Sequence, residues 1–221
     1  MWQALGHLLP ISVASALSSV PIMATILILL SKHNRSSAVP YLIGWVLGIA
    51  SIVTSFVLLA SFLPEPTLGG KQTFNALAQI VIGLALVALA IVVWRRSRGK
   101  PVGAEPKWLA SVGLLGPWSS FGFGVVLNLR PKSILLSAAA ALSVAGGGLT
   151  VGEAGVVIAI YTVLSASTVA IPVIGAIVSP VKVEAWLHGA RAWFGRNNRT
   201  VTILILLMIG VVIVGNGLTR L

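Results

Sequence analysis

Residues 128–136 read NLRPKSILL, and the interpretation of the whole chain depends on this stretch. Two cations around a proline, Arg130-Pro131-Lys132, interrupt an apolar run that extends from about residue 108 to residue 145. Such a group is costly to place in hydrocarbon, because the proline breaks a helix and the charges lose water. Either these residues form a functional break inside a membrane, or they anchor the end of a span at the membrane surface.

The composition is that of an integral membrane protein. Of the 221 residues, 57% are hydrophobic and 9% are charged, whereas about a quarter of the residues in a soluble domain are charged. The formal charge of +11 would suit a nucleic-acid-binding protein, but such a protein needs far more polar surface. The sequence has no cysteine and only three scattered histidines, so we expect no disulfide, no metal site and no cofactor.

Apolar segments predict six membrane-spanning helices, because a bilayer core of about 30 Å requires about 20 apolar residues per helix. The predicted spans are 8–31, 39–63, 73–94, 119–145, 153–178 and 200–219. Spans one and four contain Pro21 and Pro131, so we expect each of these helices to open at its proline. GWVLG at 44–48 matches the small-residue motif of closely packed helices. The predicted fold class is an all-α polytopic membrane protein with broken helices 1 and 4.

The distribution of basic residues predicts the orientation of the chain. Of the 15 Lys and Arg residues, 11 fall in the loops after the first, third and fifth predicted spans. The positive-inside rule makes these loops cytoplasmic, so both termini are expected on the extracytoplasmic side of the cytoplasmic membrane. The 11 residues are Lys32, Arg35, Arg95, Arg96, Arg98, Lys100, Lys107, Lys182, Arg191, Arg196 and Arg199.

A long basic connector after the third span suggests two three-helix halves. Because each half has an odd number of spans, the second half must be inserted upside down relative to the first. We therefore predict an inverted repeat of residues 1–95 and 119–221, joined by a cytoplasmic connector at 96–118. Within the second half, a basic amphipathic segment at 180–199 is expected to lie on the inner leaflet.

The predicted site lies at the two breaks, since paired broken helices in two halves mark the central site of a transporter. A helix that starts inside the membrane presents free amides and a positive dipole end, which bind anions. All four acidic residues fall in predicted loops, so no carboxylate neutralises the cations at depth. We infer that an anionic substrate group does so, although the alternative of surface anchors stays open. The predicted binding residues are Ser18, Ser19, Pro21, Asn128, Arg130, Pro131 and Lys132.

Several stretches, in order along the chain, resemble the GAP/Sap family of glycolipid- and sulfolipid-addressing proteins within the LysE exporter superfamily. They are LLPISVASALSSVPIMATILILLS at 8–31, YLIGWVLG at 41–48, NLRPKSILLSAAAAL at 128–142, and WFGRNNRTVTILILLMIGVVIVGNGL at 193–218. The resemblance implies a six-helix transporter of two inverted repeats that moves lipids outward across the cytoplasmic membrane. One departure is Arg130, which stands where the superfamily motif has asparagine before Pro-Lys.

The residues and the resemblance together predict a transporter or flippase for an anionic phospholipid, glycolipid or sulfolipid, working by alternating access. Two alternatives stay open: a LysE-type exporter of an amino acid or other small solute, and a non-transporting scaffold for envelope-lipid export. The sequence has no phosphate-binding loop and no catalytic constellation, so we expect no enzyme activity. The expected partners are membrane lipids with anionic headgroups and no nucleic acid. A homodimer and a contact with envelope-lipid export machinery are both compatible with the sequence.

Overall fold

The computed structural model describes residues 2–31, 34–62, 70–97 and 111–219. Within these ranges the chain forms helices and no strand, which confirms the predicted all-α class. The helices are Trp2–Ala16 (α1), Ser19–Leu29 (α2), Asn34–Phe62 (α3), Gly70–Ser97 (α4), Pro117–Val126 (α5), Pro131–Ala145 (α6), Val151–Val178 (α7) and Pro180–Leu218 (α8). Short 3-10 turns at Ser111–Leu114 and Leu127–Leu129 precede α5 and α6. Most of the predicted connector, at 98–110, lies outside the described residues.

The described helices make this a multi-pass membrane protein. Four helical segments are long and apolar enough to cross a bilayer: Ser36–Ala60, Asn75–Ser97, Val151–Val178 and Arg199–Leu218. Two further candidates are bent pairs, with angles of 47° between Ala4–Ala16 and Ser19–Leu29 and 67° between Pro117–Leu129 and Pro131–Ala145. The predicted breaks in the first and fourth apolar segments are therefore confirmed, and the described residues contain four to six candidate spans.

The first break lies upstream of the predicted position. Helix α1 ends at Ala16, α2 begins at Ser19, and Pro21 is the third residue of α2. Proline is tolerated there because the first amides of a helix have no acceptor within it. The prediction that the helix opens at Pro21 is therefore wrong, and it opens at Leu17 and Ser18 instead.

The second break lies where the sequence predicts it. Arg130 has extended backbone angles (φ −74°, ψ 147°), and Pro131 is the first residue of α6. The proline ring clashes with helical angles at the residue before it, so Arg130 leaves the helix. An amide at the first position of a helix has no acceptor within that helix. A proline at this position therefore removes no hydrogen bond from α6.

The basic segment predicted at 180–199 does not form a helix of its own, and its placement on the inner leaflet stays a prediction. It is the first half of α8, a helix of 39 residues that runs from Pro180 to Leu218. At 1.5 Å per residue, α8 is about 58 Å long, roughly twice the thickness of a bilayer core. One continuous helix therefore joins the basic segment directly to the last apolar window.

Glycines set the closest approach between α3 and α5. A Cβ atom added to Gly44 would overlap the carbonyl group of Phe121. A Cβ atom on Gly124 would lie 2.6 Å from the carbonyl oxygen of Tyr41, which is closer than any side chain tolerates. The backbones of α3 and α5 are thus in contact, in agreement with the motif at 44–48.

A second close contact joins α4 to α8. A Cβ atom on Gly83 would lie 2.8 Å from the carbonyl oxygen of Gly210, and one on Gly217 would lie 2.8 Å from that of Ala76. The residue numbers increase along α8 as they decrease along α4, so the two helices are antiparallel. Small residues at these crossings allow the two backbones to touch.

The bent pairs are surrounded by helices of the opposite half of the chain. Helix α3 packs against α5 and α6, and α7 packs against α1 and α2. Helix α4 also contacts α6, and α8 contacts α2. Helices of the opposite half therefore cover part of each break, and opened backbone within a bilayer requires such cover.

Candidate functional site

A cavity of about 300 Å³ lies where the two breaks meet. Five residues of the predicted site line it: Ser18, Ser19, Arg130, Pro131 and Lys132. The other lining residues are Val20 and Ser133 beside the breaks, Leu89 and Val93 of α4, and Arg199, Thr202 and Leu206 of α8. The fold thus brings together two sequence segments that are more than one hundred residues apart.

The first turns of α2 and α6 both border this cavity. Amides in the first turn of a helix have no acceptor within the helix, and they form the positive end of its dipole. Ser18 and Arg130 occupy the N-cap positions of the two helices, but neither side chain makes a capping hydrogen bond. Both helix ends can therefore offer amides to an anion.

Two half-buried cations lie at the second break. Lys132 interacts electrostatically with Arg130, and two like charges held in a low-dielectric site repel each other. Neither acidic side chain that the structure describes lines this cavity. An anion bound between the two cations would offset their repulsion.

The two described carboxylates have other positions. Glu153 closes a capping box at the start of α7, where its Oε2 atom accepts a hydrogen bond of 3.0 Å from the Thr150 amide. Glu184 lines a separate cavity of about 160 Å³ beside the end of α2. Among the residues that the structure describes, no group of His, Asp and Glu could hold a metal ion.

Part of the remaining lining of the main cavity is apolar. Val20, Leu89, Val93 and Leu206 contribute aliphatic surface next to the cations. A ligand that carries both a charged group and aliphatic carbons would contact each kind of surface. The cavity thus suits an anionic amphiphile better than a small, fully polar ion.

Two residues of α8 in this lining, Arg199 and Thr202, were not predicted as site residues. The sequence pattern assigns Arg199 to a cytoplasmic loop, since it precedes an apolar run. The Arg199 Nη1 atom donates a hydrogen bond of 3.0 Å to the Ser97 carbonyl oxygen. The Oγ atoms of Thr202 and Ser19 are 3.1 Å apart and share a hydrogen bond. A signal that could have located both residues is the stretch RTVT at 199–202, which opens the last apolar window.

Pro21 and Asn128 do not line the cavity. The Pro21 carbonyl oxygen accepts hydrogen bonds from the hydroxyl groups of Thr25 at 2.8 Å and Tyr41 at 3.1 Å. The Asn128 Nδ2 atom donates to the carbonyl oxygens of Gly124 at 3.0 Å and Trp45 at 3.4 Å. These contacts fasten the backbone beside each break to α2, α3 or α5. These contacts do not test the predicted substrate binding by Pro21 and Asn128, but from them we expect Asn128 to hold the break in place.

We expect Asn128→Ala to lower the free energy of unfolding by about 1–3 kcal/mol, because the two buried hydrogen bonds of the Asn128 amide, to the Gly124 and Trp45 carbonyl oxygens, are lost. Affinity for an anionic headgroup should not change. Thermal unfolding and ligand binding in the same detergent measure the two effects. Asn197→Ala is the control, since the Asn197 amide donates only within its own helix, to Trp193. Lost binding at unchanged stability would instead support a contact between Asn128 and the substrate.

These observations define the class of the protein: a multi-pass, all-helical membrane protein with two bent helix pairs that meet at a cationic cavity. The model of the family described as "Sap, sulfolipid-1-addressing protein" matches residues 8–219. The chain belongs to this family, which confirms the resemblance to the Sap family; membership of the LysE superfamily stays a prediction. No curated protein and no solved structure matches the chain.

Proposed function

We propose that the protein moves an anionic lipid across the cytoplasmic membrane by binding the lipid headgroup between the two breaks. The observation that carries the proposal is the cavity of about 300 Å³ where two helix N-termini meet Arg130 and Lys132. The family is named for the addressing of a sulfolipid, and a sulfate group is an anion of the kind that this cavity suits. The proposal involves transport alone and no catalytic step.

Six spans follow if each bent pair is one broken span. The bends of 47° and 67° support this arrangement, because a re-entrant loop must turn back by more than 90° to reach the side from which it started. Six spans and the positive-inside rule place both termini on the extracytoplasmic side. Both breaks then lie near the middle of their spans, as the central site of a transporter requires.

The helix contacts support two related halves. We match α1–α4 with α5–α8 in order. The contacts of α3 with α5 and α6 then correspond to those of α7 with α1 and α2, and the contact of α4 with α6 corresponds to that of α8 with α2. The two tyrosines of the sequence also correspond. Tyr41 and Tyr161 are 0% and 1% exposed on α3 and α7, and each lies beside the second helix of the bent pair in its own half. With three spans in each half, such a relation requires an inverted repeat.

The cavity size favours binding of the headgroup alone. Ligand pockets range from about 300 to 1,000 Å³, so this cavity of about 300 Å³ is at the lower limit. Leu89, Val93 and Leu206 can contact the first carbons of a lipid while its acyl chains remain in the bilayer. An amino acid would leave its ammonium group beside cations and without a described carboxylate, which argues against the small-solute alternative.

Reconstitution tests the proposal. Liposomes that contain the protein and fluorescently labelled phosphatidylglycerol are treated with dithionite, which bleaches only the outer leaflet. We expect bleaching to continue into the inner leaflet, and labelled phosphatidylcholine to cross more slowly because it carries no net charge. A scaffold would move neither lipid. An exporter of small solutes would exchange amino acids and leave the lipid label protected, and either result would contradict the proposal.

A second test locates the cavity opening. Leu89 and Val93 lie near the end of α4 that carries the exposed Arg95 and Arg96, and that end is cytoplasmic by the positive-inside rule. Because the natural chain has no cysteine, Leu89→Cys introduces a single thiol. We expect a membrane-impermeant thiol reagent to label it from the cytoplasmic side only. Leu84→Cys on the same helix is the control, since Leu84 is 55% exposed and outside the cavity, where lipid would shield it.

A further inference from the structure

Arg199 lies at the beginning of the last apolar window and lines the cavity. A long cationic side chain at the end of a span usually extends toward the headgroup region, where its charge remains hydrated. Here the side chain instead borders the same space as Arg130 and Lys132. The cavity therefore has three cations in its lining, two from the second break and one from α8.

The contacts of this part of α8 join three helices at the cavity. The Arg199 Nη1 atom donates to the carbonyl oxygen of Ser97 at 3.0 Å, and Ser97 is the last residue of α4. The final carbonyls of a helix have no donor within it and carry its negative dipole end, so a cation stabilises them. Thr202, three residues further on, binds Ser19 of α2 through its hydroxyl group.

The carbonyl oxygen of Ser97 is a weaker acceptor than an anion would be. The bond to Ser97 has a charge on the donor alone, whereas a phosphate or sulfate oxygen adds a negative charge on the acceptor, and a guanidinium can bind such a group through two parallel N–H donors. A headgroup that enters the cavity would therefore compete with Ser97 for Arg199. Loss of that bond would release one of the ties between α4 and α8.

We propose that Arg199 is a third ligand of the headgroup and that it exchanges the Ser97 carbonyl for the anion on binding. This inference rests on the proposed function and narrows its substrate class. A terminal sulfate or phosphate ester has three non-bridging oxygens, one for each of Arg130, Lys132 and Arg199. A phosphodiester has two. The site therefore selects lipids that end in a sulfate or phosphate monoester over phosphodiesters.

Binding in nanodiscs of neutral phosphatidylcholine tests this selectivity with two short-chain probes. Dioctanoyl phosphatidate carries a terminal phosphate, and dioctanoyl phosphatidylmethanol carries the matching phosphodiester. We expect the wild type to bind phosphatidate more tightly. Arg199→Gln should weaken phosphatidate binding about tenfold or more, as expected for loss of a hydrogen bond to a charged group, and should affect phosphatidylmethanol less.

Arg196→Gln is the matched control, because Arg196 lies three residues earlier on α8, is exposed, and does not line the cavity. Its affinities should equal those of the wild type. If Arg199→Gln does not remain monodisperse, Arg199→Lys serves instead, since it keeps the charge and loses the paired donors. Reduced discrimination between the two probes in Arg199→Lys would support the proposal.

The outcomes separate the inference from the proposed function. If Arg199→Gln binds phosphatidate as tightly as the wild type, or no more weakly than Arg196→Gln, Arg199 is not a ligand and the inference fails, while headgroup binding at the break stands. If the wild type binds neither probe, or if Arg130→Gln/Lys132→Gln binds both as well as the wild type, the proposed function fails and the inference fails with it.

Discussion

Replacing Arg130 and Lys132 together with glutamine is expected to reduce the flipping of labelled phosphatidylglycerol by about a hundredfold or more. Each side chain is expected to bind the headgroup by a charge-assisted hydrogen bond, and the loss of two such bonds costs roughly 3–6 kcal/mol. Glutamine keeps a polar, hydrogen-bonding side chain but is shorter, so the change removes the charge and part of the reach. Dithionite bleaching in proteoliposomes gives the rate for each protein.

The loss should not be a consequence of unfolding. Arg130 and Lys132 are half-buried like charges, so removing both relieves their repulsion. We expect the double variant to unfold in detergent at the temperature of the wild type or above it. Arg95→Gln/Arg96→Gln is the control, because it removes the same charge from two exposed residues outside the cavity. Equal flipping by all three proteins would mean that Arg130 and Lys132 are surface anchors and that the proposed site is wrong.

Gly124→Leu is expected to prevent the protein from folding. A Cβ atom at this position would lie 2.6 Å from the Tyr41 carbonyl oxygen and 2.8 Å from the Trp45 amide nitrogen. Both are backbone atoms of α3, so no side chain can move aside and the helices must separate. Overpacking of a well-packed core costs about 1–3 kcal/mol per site, and leucine adds three more carbons to a contact that cannot accommodate the first. Size-exclusion chromatography in detergent should show aggregated protein.

The same helix provides the control for this substitution. Gly122 lies two residues earlier on α5, and a Cβ atom there would meet nothing within 4 Å. Gly122→Leu should therefore give monodisperse protein that unfolds at nearly the temperature of the wild type. If Gly124→Leu behaves in the same way, the close approach of α3 and α5 is not needed for folding. The contact also positions the second break, since Asn128 bonds the carbonyl oxygen of Gly124.

Proline positions illustrate how far the sequence determines the breaks. Pro10, Pro40 and Pro172 lie inside α1, α3 and α7, which continue past them. Pro131 begins a helix, and Pro21 falls in the first turn of another. A proline removes one backbone donor wherever it occurs, but whether the helix then opens depends on the neighbours that pack around the freed carbonyl.

The residues of the candidate site likewise form two groups, those that the sequence reveals and those that only the folded chain reveals. The cations at 130 and 132 and the hydroxyl groups at 18 and 19 are evident as polar residues in apolar runs, because such residues are costly to bury without a reason. Arg199 is evident only in the folded chain, since it contacts Ser97 across 102 residues. The orientation of Asn128 also depends on tertiary contacts, because its amide reaches the carbonyl oxygen of Trp45 across 83 residues.

The sequence by itself determined that this is a helical membrane protein, where its apolar segments lie, and that the first and fourth of them are interrupted. These properties follow from the transfer free energy of side chains summed over about 20 neighbouring residues, so local sequence is sufficient. Only the tertiary structure decided that the two breaks meet in one cavity, that α8 is continuous, and that Arg199 and Thr202 join the lining. Those features arise from packing between distant helices, in which glycines fix the spacing, and no local pattern specifies the partner of each helix.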